Sequence, residues 1–136
     1  MSRSIDYSLY LVLQTDALYP GSGFEQTLKS ALQGGVTVVQ LREKTASTRQ
    51  FLELAALAKD ICTAASVPLI INDRLDIALA VDADGLHCGQ SDMPLAQARK
   101  LLGQQKIIGI SCNTPEEATE AVKGGADYLG QLHCST

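Results

Sequence analysis

The chain has 136 residues, a formal net charge of −4, and 46% hydrophobic against 19% charged residues. That balance suits one soluble globular domain and excludes a disordered chain, while a net-acidic sequence lacks the basic footprint that a nucleic-acid backbone requires. No apolar run approaches the ~18–20 residues that span a bilayer, and Asp6 and Ser8 interrupt any signal-peptide core, so a cytoplasmic protein with no membrane or nucleic-acid partner is expected.

The first apolar run is Leu9–Leu13. It is followed by Tyr19-Pro20-Gly21-Ser22-Gly23, a loop by its turn chemistry. Helical spacing covers Phe24–Gln33 and stops at Gly34-Gly35, where a helix end calls for positive φ. The run Val36–Leu41 passes into the polar Arg42-Glu43-Lys44. Ser47-Thr48-Arg49-Gln50 reads as a capping box that opens a helix over Thr48–Ala65. Pro68–Ile71 leads through Asn72-Asp73-Arg74 into a short helix, Leu75–Ala80. Gly85–Cys88 leads through Gly89-Gln90-Ser91-Asp92 into Pro94–Leu102. Lys106–Ser111 is followed by Thr114-Pro115-Glu116-Glu117, a second capping box with proline at the first helical position, and by the helix Pro115–Lys123. Gly124-Gly125 closes that helix, and Tyr128–Leu132 is the last apolar run. Ala31-Leu32-Gln33-Gly34-Gly35-Val36 resembles Ala121-Val122-Lys123-Gly124-Gly125-Ala126, each a helix end, a Gly-Gly stop and a strand entry. Short β-branched runs alternating with helices predict βαβ units and a parallel sheet.

Cys62, Cys88, Cys112 and Cys134 form no C-x-x-C pair and are expected to be free thiols in apolar positions. The dipeptides His87-Cys88 and His133-Cys134 offer zinc-ligand types, but neighbouring side chains on a strand point to opposite faces and cannot share one metal.

In a parallel α/β fold the C-terminal strand ends share one face, and sites are built there. A period of two puts Gln40, Arg42 and Lys44 on one side of their strand. A fork-shaped guanidinium beside an ammonium suits a phosphate or pyrophosphate. Asp73 and Asp92 add two carboxylates on the same face, and magnesium takes one or two carboxylates plus phosphate oxygens. Taken singly, each residue has a plainer role. Asp73 and Asp92 suit helix N-caps, Arg42 and Lys44 a solvated pair with Glu43, and Asn72 a turn. Ser111 suits a structural position, and His87 an interior or satisfied edge position. Their joint occurrence at successive strand ends favours the functional reading.

At this point the chain resembles the thiamine-phosphate synthase family. The matching segments are Val39–Lys44, Leu69–Ala78, Ala83–Pro94, Ile107–Cys112 and Gly125–Gly130, in family order and covering most of the chain. The resemblance implies a TIM (β/α)8-type barrel of the α/β class. It also implies a transferase joining a pyrimidine pyrophosphate to a thiazole phosphate, largely dissociatively and without a protein nucleophile. Carried over by position, Gln40, Leu41, Arg42, Glu43, Lys44, Asn72 and Ser111 would contact the pyrimidine substrate. Arg42, Lys44 and Ser111 would serve catalysis, and Asp73 and Asp92 would hold Mg2+. The resemblance lapses from Gln131 onward, and a full barrel needs about 200–250 residues. Residues 1–136 are therefore expected to form one domain holding six strands and the pyrimidine half of the site. The chain is expected to be a C-terminally truncated product, as of a fungal enzyme fused to a thiazole kinase. Low stability, or a homo-oligomer covering the opening, is expected from the exposed sheet edges. The alternative reading is a non-catalytic fragment that binds the pyrimidine pyrophosphate or a full-length partner.

Overall fold

The structure, a computed structural model, describes residues 4–15 and 23–131. Six strands and five helices alternate through them: β1 (Tyr10–Leu13), α1 (Phe24–Gln33), β2 (Val38–Leu41), α2 (Thr48–Ala64), β3 (Leu69–Asn72), α3 (Leu75–Ala80), β4 (Gly85–Cys88), α4 (Leu95–Leu102), β5 (Ile107–Cys112), α5 (Pro115–Lys123) and β6 (Tyr128–Gln131). The strands lie in sequence order in one parallel sheet, with β1 and β6 at its edges among the described residues. The expected α/β architecture is therefore present, as a curled part-barrel of six strands. The loop expected at 19–22 and the residues from Leu132 on, with His133 and Cys134, lie outside the described residues.

Strand periodicity divides the apolar side chains between two faces. Val39, Leu41, Leu69, Ile71, Leu86 and Ile108 point to the helices and pack with Leu28, Phe51, Ala55 and Ala98 in the main core. Val38, Ile70 and Ile107 face the other way and form an inner layer with Ile5, Tyr10 and Tyr128. The hydroxyls of Tyr10 and Tyr128 bond to each other, so the two edge strands are brought together on the concave face. Cys62, Cys88 and Cys112 are buried free thiols, as expected. Burial pushes the Cys62 and Cys88 thiols up to about 12, where they are inert. No helix of the described residues is long and apolar enough to cross a membrane.

Local chemistry explains the boundaries. Ser47 and Gln50 form the reciprocal capping box that opens α2. The second box is half realised. Thr114 accepts from Glu117 N at 3.1 Å, but the Glu117 carboxylate reaches one residue further back, to Asn113 N at 2.6 Å. Gly35 and Gly125, with φ of 107° and 88°, supply the left-handed step out of α1 and α5.

The residue two places after each of these glycines explains the repeat. Thr37 N donates to Leu9 O at 2.8 Å while its hydroxyl accepts from Leu9 N at 3.0 Å. Asp127 does the same to Ile108, with its N on Ile108 O and its carboxylate on Ile108 N, both at 2.8 Å. Asp84 repeats the pattern on Leu69, at 2.9 Å and 2.8 Å. A side-chain oxygen just before β2, β4 and β6 thus clamps the strand before it, entering at β1, β3 or β5.

Candidate functional site

A cavity of about 790 Å³ opens on the concave face at the C-terminal strand ends. Gln40, Arg42 and Lys44 line it together with Asn72, Asp73, Asp92 and Ser111. The side chains of Leu41 and Glu43 do not. Leu41 is fully buried in the helix-facing core, and Glu43 accepts from the Thr15 hydroxyl at 2.6 Å. The alternation that aims Gln40, Arg42 and Lys44 inward sends the residues between them outward.

Neither aspartate caps a helix. The N-cap positions of α3 and α4 belong to Arg74 and Pro94, without side-chain capping bonds. Asp73 instead takes φ of +64°, a left-handed conformation that Asp tolerates better than most residues. Its N–H bonds His87 O at 2.8 Å, and its carboxylate meets the Lys44 ammonium at 2.5 Å. Asp92 closes its own loop by accepting from Gly89 N at 2.6 Å, and its carboxylate neighbours that of Asp73 in the cavity wall. Arg42 donates to Gln14 at 2.7 Å.

Two neighbouring carboxylates repel each other when both are charged, and their surroundings decide which takes up a proton first. Burial pushes Asp73 up, but the Lys44 hydrogen bond, the Asp92 hydrogen bond and the Lys44 and Arg42 charges outweigh it and hold Asp73 below the usual carboxylate range. Burial, then the hydrogen bond and charge of Asp73, pushes Asp92 up. Asp92 is therefore the one that takes up a proton first as pH falls. The pair offers oxygen donors alone, the preference of a small hard divalent cation. Among the described residues no cluster of three or more His, Cys, Asp or Glu forms a metal site. A cation held here would complete its shell with water or ligand oxygens.

Below the charged rim lies a neutral polar layer. Lys44 donates to Asn72 Oδ1 at 3.1 Å, and Asn72 Nδ2 donates to Gln40 Oε1 at 2.8 Å. Gln40 Nε2 donates to the Tyr10 hydroxyl at 2.9 Å. His87 bonds Tyr128 through Nδ1 at 2.9 Å and Ser111 through Nε2 at 2.6 Å. Burial lowers the His87 pKa and keeps the ring neutral. Gly109 makes room for this layer, because a Cβ there would lie 2.1 Å from the Tyr128 ring.

Sequence reasoning singled out neither tyrosine and read His87 as an interior residue. The period of two along the first strand was the available signal for Tyr10, since Tyr10 and Val12 share a face with Gln40. Tyr128 carried none, because its role depends on a glycine in the neighbouring strand.

The family model described as thiamine monophosphate synthase matches residues 9–134. A thiamine-phosphate synthase of Syntrophomonas wolfei is 58% identical over 125 residues, covering 92% of this chain and 59% of that protein. A probable thiamine biosynthetic bifunctional enzyme of Schizosaccharomyces pombe is 52% identical over 130 residues, covering 96% of this chain and 25% of the relative. Among solved structures, the thiamine phosphate pyrophosphorylase of Pyrococcus furiosus superposes with a TM-score of 0.83 at 38% identity, covering 93% of this chain and 60% of that one. The chain thus spans well under two thirds of the length of these relatives.

Proposed function

Because the chain belongs to the thiamine monophosphate synthase family, we propose that its cavity is the pyrimidine-diphosphate subsite of a thiamine-phosphate synthase, a transferase of thiamine biosynthesis. One observation carries the reading. Lys44, Asp73 and Asp92 form a continuous polar rim on the same cavity as Arg42, Asn72 and Ser111. A rim of that composition supplies both halves of diphosphate recognition, cations and a carboxylate pair for magnesium.

In the proposed reaction the bond from the hydroxymethyl carbon of the pyrimidine to the diphosphate oxygen breaks, and the electron pair leaves with pyrophosphate. The ring nitrogen of the thiazole phosphate then supplies the pair for the new carbon–nitrogen bond. That nitrogen carries no proton to remove, so no general base is needed. Arg42 and Lys44 stabilise the charge that gathers on the departing pyrophosphate, and they stand in place before it develops. Asp73 and Asp92 would hold magnesium, which when bound supplies further neutralisation of that charge. Gln40, Asn72 and Ser111 orient the pyrimidine ring.

Calorimetric titration with hydroxymethylpyrimidine diphosphate tests the reading. Binding is expected with magnesium and not with a chelator. Asp92→Asn should weaken it by at least about tenfold, the loss seen even where a residue only supports a metal ligand. Equal affinity with and without magnesium would refute the carboxylate assignment. Thiamine-phosphate formation on addition of the thiazole phosphate reads the complete activity, and a localisation in the cytoplasm is proposed with it.

A further inference from the structure

The polar layer has a direction. Lys44 has donors and no acceptor, so the Asn72 atom it meets is the carbonyl oxygen. The Asn72 amide then faces Gln40 with its NH2 group, and Gln40 must receive it on oxygen. Gln40 in turn presents NH2 to the Tyr10 hydroxyl. Among the described residues the Tyr10 hydroxyl meets two partners, Gln40 and Tyr128. A phenol has one proton, and Tyr10 already receives one from Gln40, so its own goes to Tyr128. Were Tyr128 to donate back, the Tyr10 proton would have no acceptor among the described residues. Such orphaned groups are costly, and no buried side-chain N or O of the described residues lacks a partner. Tyr128, receiving from Tyr10, donates to His87 Nδ1. His87 Nδ1 is thereby an acceptor, its proton lies on Nε2, and Nε2–H points at Ser111 Oγ.

We propose that this one-way chain, from the Lys44 ammonium through Asn72, Gln40, Tyr10, Tyr128 and His87, fixes Ser111 as a hydrogen-bond donor into the cavity. Tyr10, Tyr128 and His87 are positioning residues. His87 fills one lone pair of the Ser111 oxygen and is no acceptor for its proton, so that proton is left for the ligand. The ligand group that takes it must carry a lone pair. Resting on the function proposed above, that group is a ring nitrogen of the pyrimidine rather than its exocyclic amine. The chain disfavours rings that present N–H at this point, because the Ser111 proton would then be left without an acceptor.

The test reads the tautomer directly. The sequence holds two histidines, so two-bond 15N–1H correlation of 15N-histidine-labelled protein is simple, and His87→Gln assigns the His87 signals. The expected spectrum shows His87 protonated on Nε2 in the wild type and a mixture of tautomers in Tyr128→Phe. A wild-type Nδ1–H tautomer, or an unchanged Nε2–H tautomer in Tyr128→Phe, overturns the proposal. The wild-type spectrum decides even if the variant fails to fold.

A binding measurement separates this from the functional reading. Tyr128→Phe should weaken the pyrimidine diphosphate by up to about tenfold, one hydrogen bond's worth, and leave inorganic pyrophosphate unchanged. Equal loss for both ligands overturns the directional role. If the wild type binds neither ligand, the proposed function fails while the tautomer result still stands on its own.

Discussion

At the scale of single residues, the Asp73–Asp92 pair holds opposing tendencies in one contact. Asp73 sits below its ordinary value, so its contribution to stability is present above that value and is lost as pH falls through the lowered one. Asp92 sits above, so the folded state favours its protonated form and that stabilisation is lost as pH rises through the raised value. At neutral pH the pair is a charge repulsion held in place by the fold. Asp92→Asn keeps the oxygen that accepts from Gly89 N and removes the repulsion. Its thermal midpoint at neutral pH should therefore match or exceed that of the wild type, while magnesium-dependent binding is lost. A lower midpoint would mean that the carboxylate stabilises the Gly89–Asp92 turn more than it repels Asp73. The same protonation sets the acid limb of ligand binding. Magnesium-dependent affinity should begin to fall at a pH above the ordinary aspartate value of 3.8, because a proton must leave Asp92 first. Titrations across pH 4 to 7, a range set by the usual spread of carboxylate values, check this.

At the scale of the elements, the neighbouring strands depend on what is left out. A Cβ on Gly85 would meet the Ile107 carbonyl oxygen at 2.3 Å, a backbone atom that cannot swing aside. A Cβ on Gly109 would strike the Tyr128 ring instead. The two substitutions should therefore part company. Gly85→Ala forces β4 and β5 apart and should cost at least the roughly 1–3 kcal/mol of core overpacking, read by denaturant unfolding. Gly109→Ala should lose less stability, because a side chain can move, but it should scramble the His87 tautomer. Strand and helix positions were legible because buried β-branched runs and capping residues are local signals, and the side of β2 that carries Gln40, Arg42 and Lys44 follows from period two alone. What was not legible is pairwise. Asp73 and Asp92 satisfy every rule for an N-cap until the left-handed backbone at Asp73 and the Gly89 turn are seen. Leu41 and Glu43 entered the site as part of a contiguous motif, although the pleat turns their side chains away. Tyr10 and Tyr128 find each other across 118 residues, a distance over which no sequence pattern speaks.

At the scale of the molecule, the sheet's protection should be uneven. β3 and β4 each have two paired neighbours, whereas β1 and β6 have one each among the described residues. Leu9 and Val12 near one edge and Leu129 at the other are exposed by 49%, 47% and 41%. Amide hydrogen exchange should find β3 and β4 slowest and β1 and β6 fastest. Uniform slow exchange in a monomer would show that the edges are covered. The clamps before β2, β4 and β6 carry a consequence for how the chain is made. Asp84 grips Leu69 only 15 residues back, Asp127 reaches 19 back to Ile108, and Thr37 reaches 28 to Leu9. Each pair can lock soon after it leaves the ribosome, since such short loops close at small entropic cost. Synthesis thus lays down three pre-registered cassettes in turn. The tyrosine contact is the one that has to wait, because it needs both β1 and β6 to have been made.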